Sequence, residues 1–285
     1  MTSTAPRNSI LLVDDDRAFR HAISTLLADA GHIVRQAADG PEALDLLARE
    51  QVDLILLDIG LPGMSGLEVL SGVRALAEPP RVVIVTSDDT PETLLKAVRG
   101  QADRYVRKPF APHAIIEVVE DALRATPAAR LPIEVVSARP EWVEIIAPCS
   151  LAVADRIQAF MMQLEANLPE PVRESIGQAF RELLCNAVEW GGKLDPGRSV
   201  RISCIRARRM LLYRITDPGE GFDIEHLSHA AISNPDGDPL QHHLVREEKG
   251  LRPGGLGLAI TRTLVDELIY NEARNEVVFI KYLDE

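Results

Sequence analysis

The first half of the chain places acids, a hydroxyl and a lysine directly after apolar runs. Asp14 and Asp15 follow ILLV, Asp58 follows LILL, Thr86 ends VVIVT, and Lys108 follows YVR. Carboxylates held close together repel one another, and Mg²⁺, which prefers oxygen ligands, relieves that repulsion. One carboxylate can then attack a phosphoryl group while the lysine and the hydroxyl stabilise the developing charge. The pattern predicts that Asp58 accepts a phosphoryl group beside a magnesium ion.

The competing interpretation for the first acids is structural. Asp14, Asp15 and Asp16 precede a helical pattern, and aspartate is favoured at helix N-caps. We assign that capping role to Asp16. The set formed by Asp14, Asp15 and Asp58 with the hydroxyl and the lysine is better explained by phosphoryl chemistry.

The second half carries ELLCN, DPGEGFD and GGLGLA in that order. Glu182 and Asn186 are four residues apart, so a helix would place a base and a metal-binding amide on one face. Asp217 can accept a hydrogen bond from an amino group, and glycines after it permit a tight turn against a flat ligand. Glycines at a helix start expose amides that bind phosphate. The glycine-rich positions are Gly219 and Gly221, then Gly254, Gly255, Leu256 and Gly257. Each segment alone is common, but their order predicts a nucleotide pocket.

The residues of the first half require a parallel sheet. Apolar runs alternate with segments whose apolar residues recur every three or four positions, which predicts five βα units in a doubly wound fold. Such sheets bind ligands at the carboxyl ends of their strands, where the reactive residues fall. The predicted strands are Ser9–Val13, Ile33–Ala37, Leu54–Leu57, Val82–Thr86 and Arg104–Val106. The predicted helices are Phe19–Ala30, Pro41–Glu50, Gly66–Ala77, Pro91–Arg99 and Pro112–Arg124.

The second half is predicted to form a two-layer α+β domain, because its predicted helices and antiparallel strands are grouped along the chain and do not alternate. The predicted strands are Trp142–Ile146, Ser199–Arg206, Met210–Asp217 and Val277–Leu283. The predicted helices are Leu151–Leu168, Pro171–Glu189 and Leu256–Glu267, and a long loop runs from about 224 to 255. The proline-containing stretch TPAARLP separates the halves. We therefore expect domains at 1–125 and 138–285, with a linker at 126–137.

Composition restricts the class of protein. The 285 residues carry a net charge of −12, which argues against non-specific nucleic-acid binding, and the second half has no helix-turn-helix pattern or basic stripe. Three scattered cysteines lack metal-binding spacing, and no apolar run reaches the length of a membrane span. We expect a cytoplasmic protein with no direct nucleic-acid or membrane partner.

The segments VDD, LLDIGLPGMSG, VTS and KPF together resemble the receiver domain of two-component response regulators, over about the first 125 residues. The resemblance implies a CheY-like (βα)5 fold and phosphorylation of Asp58 by a sensor histidine kinase. It implies magnesium ligands at Asp14, Asp15 and Asp58 and at the carbonyl of Gly60. It also implies switch roles for Thr86, Lys108 and Tyr105; for the tyrosine, a half-buried strand aromatic is an equal alternative.

The segments ExxxN, DxGxGFD and GGLGLA resemble the N, G1 and G2 boxes of the GHKL (Bergerat) ATP-binding fold, over residues 138–285. The ending of the chain is similar to that of anti-sigma factor serine/threonine kinases. The resemblance implies that Asn186 binds Mg²⁺, Glu182 is the catalytic base and Asp217 holds the adenine of ATP. The chain departs from the family at VEWGG, where many relatives carry His-Gly or His-Ala.

These resemblances predict a response regulator whose output domain is an ATP-dependent protein serine/threonine kinase. The expected acceptor is a STAS-domain anti-anti-sigma factor. The alternative is a non-catalytic, ATP-gated partner switch that sequesters a sigma factor or a STAS protein. Both families imply a homodimer.

Overall fold

The computed structural model describes residues 7–88, 90–139, 141–221 and 257–283, which belong to two compact units, residues 1–130 and 131–285. The predicted linker, residues 126–137, contains a 3-10 turn at Pro127–Arg130 and the first residues of a strand that starts at Glu134. Among the described helices, none combines the length and the apolar character that a membrane crossing requires.

The first unit is a five-stranded parallel sheet with helices between the strands, in the order β2-β1-β3-β4-β5. Its strands are β1 (Ser9–Val13), β2 (Ile33–Ala37), β3 (Leu54–Leu57), β4 (Arg81–Thr86) and β5 (Arg104–Arg107). Its helices are α1 (Arg17–Asp29), α2 (Gly40–Arg49), α3 (Gly66–Arg74), α4 (Pro91–Arg99) and α5 (Pro112–Arg124). Strand β3 is buried at every position, as expected for a parallel strand covered on both faces. The predicted doubly wound α/β fold is confirmed.

The second unit is a six-stranded antiparallel sheet in the order β10-β11-β9-β8-β7-β6, accompanied by helices. Its strands are β6 (Glu134–Arg139), β7 (Trp142–Pro148), β8 (Ser199–Ala207), β9 (Met210–Thr216), β10 (Glu267–Tyr270) and β11 (Glu276–Tyr282). Its helices are α6 (Leu151–Leu164), α7 (Glu170–Asn186) and α8 (Gly257–Leu264). The predicted α+β class is confirmed, while the predicted loop from 224 to 255 lies outside the described residues.

Two strands of this sheet were not predicted. Strand β6 has no fully buried residue and carries a register shift at Val135/Ser137, so its pairing with β7 defines it better than its own pattern does. Strand β10 begins at Glu267, which is the last residue of the predicted helix Leu256–Glu267. The observed helix α8 ends earlier, at Leu264. The prediction of helix to Glu267 was therefore wrong at its end, because pairing of Glu267 with Ile280 in β11 takes the chain into the sheet.

Aromatic rings and one carboxylate join the helices of the second unit to its sheet. Tyr213 in β9 stacks on Phe279 in β11 at 4.9 Å between ring centroids and contacts Phe180 of α7 at 5.3 Å. The Tyr213 hydroxyl donates to Oε1 of Glu165 at 3.1 Å, and Arg206 in β8 lies 3.3 Å from Oε2. Glu165 is only 2% exposed, so these contacts satisfy a carboxylate inside the domain.

Candidate functional site

The first unit brings Asp14, Asp58 and Lys108 together at the carboxyl edge of its sheet. Asp14 follows β1, Asp58 follows β3 and Lys108 follows β5. Both carboxylates are buried, and the Lys108 ammonium lies 2.5 Å from Oδ2 of Asp14 and 3.3 Å from Oδ1 of Asp58. The same ammonium sits 4.2 Å from the ring centroid of Phe19, a cation–π contact that no motif pointed to. The peptide bond between Lys108 and Pro109 is cis, an isomer found almost only before proline.

Backbone amides orient the two carboxylates. The Asp16 amide donates to Oδ1 of Asp14 at 2.9 Å, and the Gly60 amide donates to Oδ2 of Asp58 at 2.9 Å. Burial raises the pKa of Asp14 above its ordinary value, and the hydrogen bonds from Lys108 and the Asp16 amide oppose that rise. Asp16 itself caps α1 by accepting from the amides of residues 18 and 19, which confirms its predicted role.

The predicted magnesium ligands are only partly gathered. Asp14 and Asp58 share one ammonium, whereas Asp15 is exposed, and the described residues contain no group of three or more His, Cys, Asp or Glu side chains arranged for a metal. Two buried carboxylates against one ammonium leave a net negative charge, which suits a hard cation. The carbonyl of Gly60 adds an oxygen of the kind that Mg²⁺ prefers. The ligand set therefore stays a prediction.

Thr86 and Tyr105 meet at the backbone of Asp88, a residue that the sequence did not single out. Thr86 is buried at the end of β4, and its hydroxyl accepts a hydrogen bond from the Asp88 amide at 3.2 Å. The Tyr105 hydroxyl donates to the Asp88 carbonyl oxygen. The Asp88 carboxylate accepts from Thr93 of α4 at 2.7 Å, so this loop connects two of the three predicted switch residues, Thr86 and Tyr105, to that helix. Tyr105 is also half-buried against the core, as the strand-aromatic alternative expects, and its switch role stays a prediction.

In the second unit, α7 contains both Glu182 and Asn186, which confirms their helical i, i+4 spacing. Both residues are half-buried. The first residue of α8, Gly257, lies against Glu182: a Cβ on this glycine would be 2.3 Å from Oε2. The Glu182 carboxylate therefore packs against the first described turn of α8. Gly254, Gly255 and Leu256 lie outside the described residues.

Asp217 follows β9 and is fixed by the glycine turn after it. The Gly219 amide donates to Oδ1 of Asp217 at 2.7 Å. Burial raises the pKa of Asp217, while this amide and the charge of Arg198 oppose the rise. Gly221 has a φ of +86°, and a Cβ there would be 1.5 Å from the carbonyl oxygen of Ala273, so the turn requires glycine. The turn thus presents a half-buried carboxylate that can accept a hydrogen bond from an amino group.

Comparisons with known proteins divide the chain in the same way. Residues 10–120 match the model of the response regulator receiver domain, and residues 148–281 match that of the histidine kinase-like ATPase domain. The chain is 36% identical over 117 residues to the response regulator MprA of Mycolicibacterium vanbaalenii, covering 41% of this chain and 51% of that protein. It is 29% identical over 205 residues to the DNA-binding transcriptional regulator NtrC of Azospirillum brasilense, covering 72% of this chain and 42% of the relative. The chain therefore spans about half the length, or less, of these curated relatives.

Solved structures match the first unit. The CheY-like receiver domain protein of Methanospirillum hungatei is 31% identical with a TM-score of 0.40, covering 41% of this chain and 94% of that one. The chemotaxis response regulator CheY4 of Vibrio cholerae is 29% identical with a TM-score of 0.40, covering 41% and 99% respectively.

Proposed function

Because the chain carries a response regulator receiver domain followed by a histidine kinase-like ATPase domain, we propose that phosphorylation of Asp58 controls an ATP-dependent protein kinase. The phosphodonor is a sensor histidine kinase. The kinase output phosphorylates a serine or threonine of a STAS-domain anti-anti-sigma factor. The arrangement of Glu182 and Asn186 on one face of α7, with Glu182 against the start of α8, is the observation that carries the kinase assignment.

In the receiver domain, an Asp58 oxygen attacks phosphorus and the donor imidazole leaves. Lys108 already contacts this carboxylate, so its ammonium is placed to neutralise charge on the phosphoryl oxygens. Magnesium held by Asp14, Asp58, Asp15 and the Gly60 carbonyl would supply further positive charge. The Thr86 hydroxyl, on the neighbouring strand β4, is the hydrogen-bond donor for the phosphoryl group. Movement of this hydroxyl would change its hydrogen bond with the Asp88 amide. Because the Asp88 carboxylate accepts from Thr93, the change would be transmitted to α4.

Asp58→Asn is expected to abolish phosphorylation of the receiver domain, because an amide is not a nucleophile for phosphoryl transfer. Incubation with Mg²⁺ and labelled acetyl phosphate should give acid-labile label on the unsubstituted protein and none on the variant. Asp45→Asn removes an exposed carboxylate of α2 and serves as the control that keeps its label. Equal labelling of Asp58→Asn and the unsubstituted protein would mean that another residue accepts the phosphoryl group.

In the output domain, the Glu182 carboxylate accepts the proton of the attacking serine or threonine hydroxyl. The hydroxyl oxygen forms the new bond to the γ-phosphorus, and ADP leaves. Asn186 contributes its amide oxygen toward Mg²⁺, and Asp217 accepts a hydrogen bond from adenine. These roles follow the N-box and G1-box resemblance and agree with the half-buried positions of the three side chains.

The test is transfer of label from γ-labelled ATP. Purified protein with Mg²⁺ is incubated alone and with candidate STAS-domain proteins, before and after phosphorylation of Asp58. Acid-stable label on a STAS serine or threonine is the expected result, at a rate that changes with the state of Asp58. ATP binding and partner binding without transfer would instead support the sequestering switch, in which nucleotide gates capture of the partner.

A further inference from the structure

The segment VEWGG, which follows α7, is not used by the proposed chemistry. Ala187–Gly191 form a π-helical turn, closed by the Gly192 amide donating to the Ala187 carbonyl oxygen at 2.8 Å. Such turns are frequent at functional sites. The next residues, Lys193 and Leu194, both have left-handed backbone angles, with φ of 56° and 55°. This conformation is costly for residues with a side chain, so the fold must hold the segment in place.

The π-helical turn brings Gly191 directly against Asp217. A Cβ built on Gly191 would be 2.1 Å from Oδ1, 2.2 Å from Cγ and 2.5 Å from Cβ of Asp217. Rotating the carboxyl group would not relieve these contacts, because the Asp217 Cβ stays where it is. A Cβ on Gly219 would be 2.7 Å from the same Oδ1 and 2.9 Å from the Gly191 Cα, and the Gly219 amide donates to Oδ1. Both glycines therefore pack against the Oδ1 side of the carboxyl group, which leaves Oδ2 as its second acceptor.

We propose that Gly191 is a positioning residue for base selection: the absence of its side chain fixes Asp217 so that Oδ2 accepts a hydrogen bond from the 6-amino group of adenine. The inference rests on the proposed function, which takes Asp217 as the residue that holds the base. Inosine triphosphate (ITP) has a carbonyl oxygen at position 6 and cannot donate this bond. Because ITP lacks this hydrogen bond to a charged acceptor, we expect it to bind about ten- to a hundredfold more weakly than ATP.

The experiment compares dissociation constants for ATP and ITP by calorimetry on the full chain with Mg²⁺. In Gly191→Ala the new methyl group displaces Asp217, so ATP affinity should fall and ITP affinity should stay near its original value. The ratio of the two constants then approaches one. A residue with only a structural role would lower both affinities together and leave the ratio unchanged.

Gly192→Ala is the matched control, since it strains the same turn without touching Asp217. Its Cβ would be 2.3 Å from Sγ of Cys149 and 2.8 Å from the Val188 carbonyl oxygen. This variant should lose stability and keep the ATP preference. The inference would be overturned if Gly191→Ala kept the original ratio of the ATP and ITP dissociation constants, or if Gly192→Ala lowered the ATP preference as much as Gly191→Ala does. Either result would leave the proposed function standing. A chain that binds neither nucleotide would overturn the proposed function together with the inference.

A second measurement needs no substitution and covers the case in which Gly191→Ala does not fold. The amides of Gly192 and Leu194 close the turn through the carbonyl oxygens of Ala187 and Val188, at 2.8 and 3.0 Å. Because coupling between the base and the turn is reciprocal, saturating ATP should slow hydrogen exchange at these amides more than saturating ITP does. Equal protection by the two nucleotides would contradict the coupling.

Discussion

Glu182→Gln is expected to lower phosphoryl transfer to the protein acceptor by about 10²–10⁴-fold, the usual contribution of a general base. Glutamine has nearly the shape of glutamate, so its packing against Gly257 at the start of α8 should persist. The amide cannot accept the proton of the attacking hydroxyl. Single-turnover transfer of label from ATP to the acceptor measures the rate, and calorimetry measures ATP affinity on the same preparation.

The control for this variant lies on the same helix. Glu174 is an exposed residue of α7, and Glu174→Gln changes the net charge by the same amount without reaching the buried face. We expect it to leave transfer and ATP affinity unchanged. If Glu182→Gln kept full transfer, Glu182 would not be the base. If it lost ATP binding and transfer in equal proportion, its role would be to hold the nucleotide.

The receiver domain could be predicted from the sequence almost element by element, for a physical reason. Each strand is a short apolar run with a turn after it, and each helix repeats its apolar residues at helical spacing. Reactive residues that follow β1, β3 and β5 must meet at one edge, because parallel strands point the same way. The exposure of Asp15 was not predictable in this manner, since adjacent acids look alike in the sequence and only the backbone direction separates them.

The second unit shows what the pattern cannot reveal. The contact between Gly191 and Asp217 depends on a π-helical turn, and no residue preference marks such a turn in the sequence. The bond between Tyr213 and Glu165 joins residues 48 positions apart, and Glu165 alone looks like any polar residue at a helix end. Strand β6 exists because β7 offers it an edge, so its own composition could not predict it.

Removing the buried carboxylate of Glu165 is expected to destabilise the second unit. In Glu165→Ala the hydroxyl of Tyr213, which is fully buried, loses its acceptor, at a cost of about 1–3 kcal/mol in the free energy of unfolding. Glu165→Gln keeps an acceptor oxygen and should lose less. The two tryptophans of the chain, Trp142 and Trp190, both lie in this unit, so their fluorescence during urea unfolding reports on it alone.

The stability of Glu165→Gln is also expected to depend on pH differently from that of the unsubstituted protein. Burial raises the pKa of Glu165 above its ordinary value of 4.5, although Arg206 and Tyr213 oppose the rise. Between the ordinary and the raised pKa, the folded state binds more protons than the unfolded chain, so stability falls as pH rises across that window. Glu165→Gln cannot titrate, so its urea midpoint should fall less over the same window. Glu174→Gln removes an exposed carboxylate and serves as the control. Its urea midpoint should change with pH as that of the unsubstituted protein does. Identical slopes for Glu165→Gln and the unsubstituted protein would show that the folded state does not hold the Glu165 proton more tightly than the unfolded chain.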